Sequence, residues 1–150
     1  MKLNTKFLLS TFLLFSVLFF SAGNSPAAGN VKTAVFAGGC FWCMEADFEK
    51  IPGIIEVFSG YTGGKSSNPN YNNYSESGHI EAIRIEYNPS VINYRQLLDI
   101  FWLNIDPTDN EGQFCDRGHE YSSAVFVLTE KQQKIAMASK TIIEKSGILR

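Results

Sequence analysis

Between Val31 and Ala37 the chain is short-stranded in character, apolar and β-prone, and it runs straight into Gly38-Gly39. Two glycines force a sharp turn, because glycine alone takes up positive backbone angles without steric cost. Directly beyond the turn, Phe41, Met44, Phe48 and Ile51 recur at helical spacing, with Glu45, Asp47 and Glu49 mostly on the other side, until Pro52-Gly53 ends the pattern. The start of the fold is therefore a buried strand, a tight turn and an amphipathic helix, with Cys40 at the junction.

The rest of the pattern extends that unit. Ile54 to Tyr61 and Ile80 to Tyr87 read as strands, separated by a Gly-, Ser-, Asn- and Pro-rich loop from Thr62 to Gly78. A loop this long in a compact domain tends to be functional. Tyr94, Leu97, Leu98, Phe101, Trp102 and Ile105 mark a second helix, with Asn93 and Gln96 placed as a capping box and Pro107 as the stop. The apolar run Ala124 to Leu128 predicts a central strand buried on both faces. Thr129 and Gln132 cap a third helix that turns Ile135, Ala138 and Ile142 inward and ends near Gly147. The order βαββαβα predicts an α+β fold, the split βαβ (ferredoxin-like) two-layer sandwich, with helices packed on a mixed sheet.

Residues 1–28 read as a segment outside that domain. Lys2 and Lys6 precede an apolar and hydroxyl run from Phe7 to Phe20, followed by small residues, which is the pattern of a secretory signal. The run is shorter than the roughly 20 residues that span a bilayer, so cleavage after Gly23, Ala27 or Ala28 and export of residues 29–150 is the expectation, with a retained N-terminal anchor as the alternative. Lys and Arg number 13 against 15 Asp and Glu, and the basic residues are scattered. Without a basic stripe there is no footprint for nucleic acid. No apolar helix face is left over for a partner, so a monomer is expected.

The chemistry gathers around sulfur. Cys40, between a glycine turn and a helix start, faces unpaired backbone N–H groups and the positive end of the helix dipole, a setting that favours a thiolate nucleophile. Cys43 lies on the same helix face and can reach Cys40 to close a disulfide. The bland reading makes both small buried hydrophobes. On the strand Ile80 to Tyr87, alternation puts Glu81 on the face of Ile83, Ile85 and Tyr87. A carboxyl turned into a core loses hydration and favours the protonated form, ready to act as a general acid; at an edge it is simply wet. A third cluster, Gln113 to Tyr121, is dense in titratable groups. Its Cys115 and His119 complete, with Cys40 and Cys43, a set of three thiols and one imidazole that suits zinc. A general dithiol-disulfide oxidoreductase built on Cys40 and Cys43 is the other alternative.

Five segments carry a resemblance: Gly39-Cys40-Phe41-Trp42, Gly60-Tyr61-Thr62-Gly63-Gly64, Asn68-Pro69-Asn70-Tyr71, Gly78-His79-Ile80-Glu81, and Asp116 to Ser123. Together, and in this order, they resemble the A-type peptide methionine sulfoxide reductases, from about Thr33 to the C-terminus. The resemblance implies that Cys40 attacks the sulfoxide sulfur and Glu81 protonates its oxygen. A sulfenic acid is then left on Cys40, for a second thiol to resolve. It implies that Phe41 and Trp42 hold the substrate methyl group while Tyr71, Asp116 and Tyr121 bind the oxygen and organise the site. Cys43 is the resolving thiol favoured by spacing, with Cys115 as a second relay. The substrate implied is methionine S-sulfoxide in peptides and proteins, the reductant thioredoxin or a thioredoxin-like protein, with neither metal nor organic cofactor. Two features depart from the family pattern. The segment between Tyr71 and Gly78 is short, and the chain stops at Arg150 where members generally continue through a stretch with a further active-site tyrosine, so a C-terminally truncated catalytic domain is expected.

Overall fold

The computed structural model describes residues 30–147. The proposed signal segment lies outside the described residues. Strand β1 (Lys32–Gly38) leads through the glycine turn into helix α1 (Phe41–Phe48), followed by β2 (Ile54–Thr62), β3 (Ile80–Tyr87) and α2 (Tyr94–Leu103). A small hairpin of β4 (Gly112–Gln113) and β5 (Asp116–Arg117), a 3-10 turn at His119–Tyr121, β6 (Ser123–Phe126) and α3 (Glu130–Lys145) complete the order.

The four-stranded sheet runs β2-β3-β1-β6. This is the split βαβ arrangement: β3 inserts between β1 and β2, so the strands that run parallel are never neighbours and each hydrogen-bonded pairing is antiparallel. The mixed sheet expected from the sequence is thus mixed in direction but antiparallel at every contact. Ala34 faces Ile85 and Phe36 faces Ile83 in register. These side chains form one face, with Val57 and Tyr87. Phe41, Met44 and Phe48 of α1 and Leu97, Leu98 and Phe101 of α2 cover it. Full burial of each such side chain contributes about 1.5–3 kcal/mol. The capping box at Asn93 and Gln96 is present and starts α2 as expected. That helix ends at Leu103, leaving Ile105 buried just beyond it.

Two expectations fail at the far side of the sheet. The Ala124–Leu128 run does not form a central strand buried on both faces; β6 lies at an edge, pairs only with β1 among the described residues, and is half-buried throughout. Val127 and Leu128 lie beyond it and are exposed. Apolarity reports burial tendency but not pairing order, and the split crossover gives the interior slot to β3 despite its polar Arg84 and Glu86. Helix α3 is also turned from the expected orientation, with Ala138 and Ile142 exposed and Gln132 and Ser139 buried instead. Polar ties set its rotation. The Gln132 side chain donates to the Thr33 carbonyl (2.7 Å) and accepts from Leu128 N–H (2.8 Å), and Ser139 Oγ accepts from Trp102 Nε1–H (2.8 Å).

Candidate active site

The site is assembled where β1 turns into α1. Gly38 is required by packing, since a Cβ there would lie 2.9 Å from both Met44 Sδ and Ile105 Cγ2. Gly39 is required by its backbone, at φ +89°, and a Cβ there would meet Gln113 Cβ at 2.7 Å. Gln113 is itself buried and fixed, its Oε1 accepting from Asp106 N–H (2.7 Å) and its Nε2 donating to the Asp106 carbonyl (2.9 Å). The turn delivers Cys40 as the N-cap of α1, half-buried, its carbonyl accepting the N–H groups of Cys43 and Met44 at 3.1 Å each.

The N–H of Phe41, one of the donors a helix start leaves without an internal partner, donates to Glu81 Oε2 at 2.9 Å. Glu81 is only 2% exposed, so the alternation argument placed it correctly and the wet-edge alternative does not hold. Its Oε1 accepts the hydroxyl of Tyr74 at 2.8 Å. Two donors converge on this carboxyl, one of them from the residue next to Cys40, so Glu81 is pinned beside the thiol. Burial first, then the bonds with Glu81 and Tyr121, push the Tyr74 hydroxyl far above its ordinary range. Tyr121 is raised as well: its bond with Tyr74 acts in the opposite sense, and burial with the charges of Glu81 and Asp116 outweighs it. These tyrosines keep their protons.

Cys43 is exposed and hydrogen-bonded to Cys40. That bond, then burial and the electrostatic influence of Cys40, Asp116 and Asp47, raises its thiol. Cys43 therefore holds its proton toward Cys40, in the geometry expected from the i, i+3 spacing. Cys115 sits exposed at the β4–β5 turn beside exposed Phe114, which takes a φ of +51°. The group of that hairpin that reaches Cys43 electrostatically is Asp116. No three Cys, His, Asp or Glu side chains converge to hold a metal among the described residues, so Cys40, Cys43, Cys115 and His119 do not form the zinc set considered from the sequence.

A ladder of rings walls one side. Phe41 packs against Trp42 (5.2 Å between centroids) and Tyr61 (5.5 Å), Tyr61 stacks on Tyr74 (4.4 Å), and Trp42 stacks on Tyr71 (5.7 Å, 13° between planes). Phe41 is buried while Trp42 and Tyr71 are 60% and 57% exposed. Tyr71 also packs on Tyr74 (6.2 Å between centroids) and makes no hydrogen bond to Glu81; the tyrosine that does is Tyr74, three residues later in the loop. Residues 32–150 match the model of the family described as peptide methionine sulfoxide reductase. The chain belongs to that family.

Peptide methionine sulfoxide reductase MsrA 2 of Rhizobium meliloti is 47% identical over 113 residues, covering 75% of this chain and 57% of that protein. The MsrA of Ligilactobacillus salivarius is 51% identical over 117 residues, covering 77% and 68%. Among solved structures, reduced Mxr1 from Saccharomyces cerevisiae superposes with a TM-score of 0.70 at 29% identity, covering 78% of this chain and 71% of that one. The chain thus spans little more than half the length of the Rhizobium relative. Inspection of the sequence missed Tyr74, Tyr61 and Gln113. Tyr74 and Gln113 lie in segments without helical or strand periodicity, and Tyr61, though part of the Gly60–Gly64 motif, carries no site role in the sequence pattern; their roles come from contacts across the fold.

Proposed function

We propose that this reductase-family chain reduces methionine S-sulfoxide in peptides and proteins, with Cys40 as nucleophile and Glu81 as general acid. The observation that carries the reading is the buried Glu81 carboxyl, held by Phe41 N–H and the Tyr74 hydroxyl against the N-terminus of α1 that bears Cys40. Cys40 attacks the sulfoxide sulfur while Glu81 gives a proton to its oxygen. The substrate sulfur gains two electrons and leaves as methionine, and the oxygen remains on Cys40 as a sulfenic acid. The Cys43 thiol then displaces that oxygen as water and closes a Cys40–Cys43 disulfide. Phe41 and Trp42 offer aromatic faces to the substrate methyl group, which thioethers and methyl groups pack well against. Asp116 and Tyr121 organise the oxygen side of the site, and Tyr71 extends the wall outward over Trp42.

The disulfide is returned to thiols by thioredoxin or a thioredoxin-like protein. Mxr1 of Saccharomyces cerevisiae has been solved in complex with Trx2, which supports a reductant of that kind. The N-terminal pattern of residues 1–28 supports an exported enzyme that repairs oxidised proteins outside the cytoplasm. Cys115 serves as the alternative resolving thiol or as a relay toward the reductant.

The deciding experiment is a single turnover without reductant, mixing reduced protein with each epimer of a methionine sulfoxide peptide. One methionine per protein from the S epimer, with two thiols lost, is the expected result. Cys40→Ser should yield no methionine, and Cys43→Ser should yield it with only one thiol lost. A folded protein that gives no methionine from either epimer sinks the reading.

A further inference from the structure

The loop between β2 and β3 carries Tyr71 and Tyr74, yet it has no helix or strand of its own; besides backbone bonds such as Lys65 N–H to the Ser77 carbonyl (3.0 Å), one buried polar side chain ties its two ends. His79 is 6% exposed and stands at the foot of β3, where the loop returns. Its Nδ1 accepts the N–H of Gly64 at 3.2 Å, at the other end of the loop. Nδ1 is therefore the unprotonated nitrogen, and Nε2 carries the proton. Nε2 lies 3.0 Å from the Ser66 carbonyl and 3.1 Å from Ser66 Oγ, so it donates into that residue. Ser66 Oγ continues to Ser77 Oγ (3.0 Å), which donates to the Tyr74 carbonyl (3.1 Å). The His79 backbone N–H also donates to the Tyr74 carbonyl, at 3.0 Å. The ring lies flat against Gly64, where a Cβ would come within 2.3 Å of its Cδ2.

The imidazole thus ties Gly64 and Ser66 at the start of the loop to its end, two residues before Glu81, and reaches the Tyr74 carbonyl through the two serine hydroxyls beside the His79 backbone bond. The geometry points to neutral, Nε2-protonated His79 as a positioning residue for the proposed reduction: it clamps the loop so that the Tyr74 hydroxyl stays on Glu81. This inference rests on the reductase reading for its kinetic consequence, and on the hydrogen-bond pattern alone for the clamp itself. His79 acts through Tyr74 and touches no reacting atom, so its removal should lower kcat and leave KM nearly unchanged.

The test is a double-mutant cycle on kcat and KM with the full chain, using His79→Ala, Tyr74→Phe and the double variant, normalised to the single-turnover amplitude so that only folded, thiol-active protein is counted. Loss of a buried hydrogen bond costs about tenfold. Each single variant should lose about tenfold in kcat, and the double variant should lose no more than the worse single one, because the two changes break the same chain. His79→Asn, whose Oδ1 occupies the place of Nδ1 and can accept from Gly64 N–H, should recover most of the loss. Losses that multiply in the double variant, a change confined to KM, or no rescue by Asn would overturn the positioning role. Amide exchange supplies a reading that needs no turnover: Gly64 and His79 amides should exchange faster in His79→Ala while the β1–β3 amides stay protected, and unchanged exchange at Gly64 would refute the clamp. A wild type that keeps slow Gly64 exchange but reduces no sulfoxide would overturn the reductase reading and the catalytic role together, while leaving the clamp itself supported.

Discussion

The two ends of the sheet are held together by different physics. Around β1, β2 and β3, Ala34, Phe36, Phe48, Ile83, Ile85, Leu97 and Leu98 are sealed from water, and the carboxyl admitted there, Glu81, is met by two donors. At β6 and α3 no residue of the strand is fully buried, and α3 is seated by the hydrogen bonds of Gln132 and Ser139 together with the half-buried Ile135 and Ala136. A reactive thiol needs a rigid frame, since catalytic geometry tolerates only small displacements. The well-packed end supplies that frame to Cys40, and the looser end meets it where Ser123 at the start of β6 pairs with Gly38.

The largest effect should come from Glu81→Gln, which keeps an acceptor for Phe41 N–H and removes the acidic proton. Loss of a general acid costs about 10²–10⁴-fold in rate, so single-turnover methionine formation should slow by that range with the melting curve little changed. Unimpaired turnover would favour a plain dithiol oxidoreductase at the same cysteines. Next, Phe48→Ala at the packed end should cost about 3–5 kcal/mol, whereas Ile142→Ala, exposed on α3, should stay within about 0.5 kcal/mol. Equal losses in denaturant melts would erase the contrast between the two ends.

Gln132→Ala probes the looser end directly. It strands the Thr33 carbonyl and Leu128 N–H, and a loss of about 1–3 kcal/mol is expected, with single-turnover rates unaffected because the frame around Cys40 does not depend on it. The smallest effect should be a gain. The Tyr94 hydroxyl is buried and finds no hydrogen-bond partner among the described residues, so Tyr94→Phe should stabilise by about 1 kcal/mol. Burial, with a smaller contribution from Tyr87, pushes that hydroxyl up to about 12. A folded value above the unfolded one means that the stabilisation is fully present below about pH 10 and is lost as pH rises through about 12. Tyr94→Phe should therefore flatten the alkaline fall in melting temperature, and an unchanged fall would assign it to other groups.

Much of this was legible before any coordinates. The Gly-Gly turn, the Asn93–Gln96 capping box and the alternation that turned Glu81 inward are local patterns, each confined to one element, and local sterics and hydrogen bonding decide them. The same holds for Cys40 and Cys43, which share a helix face because of their spacing alone. The misreadings share the opposite cause. The apolar Ala124–Leu128 run suited an interior strand, yet pairing order placed it at the edge. Of the Ile135, Ala138 and Ile142 stripe, Ile135 packs on the core as expected, yet the polar ties of Gln132 and Ser139 leave Ala138 and Ile142 exposed. By itself the sequence determined the four strands of the sheet and the three helices, their order and the nucleophile's place at a helix start, because those depend on neighbours along the chain; the short β4–β5 hairpin and the 3-10 turn, which read as a polar loop, it did not. Only the tertiary structure decided which tyrosine holds Glu81, what His79 clamps and which strand lies at the edge. Those outcomes depend on groups brought together from distant positions, where side-chain directions in three dimensions, and not spacing along the chain, select the partner.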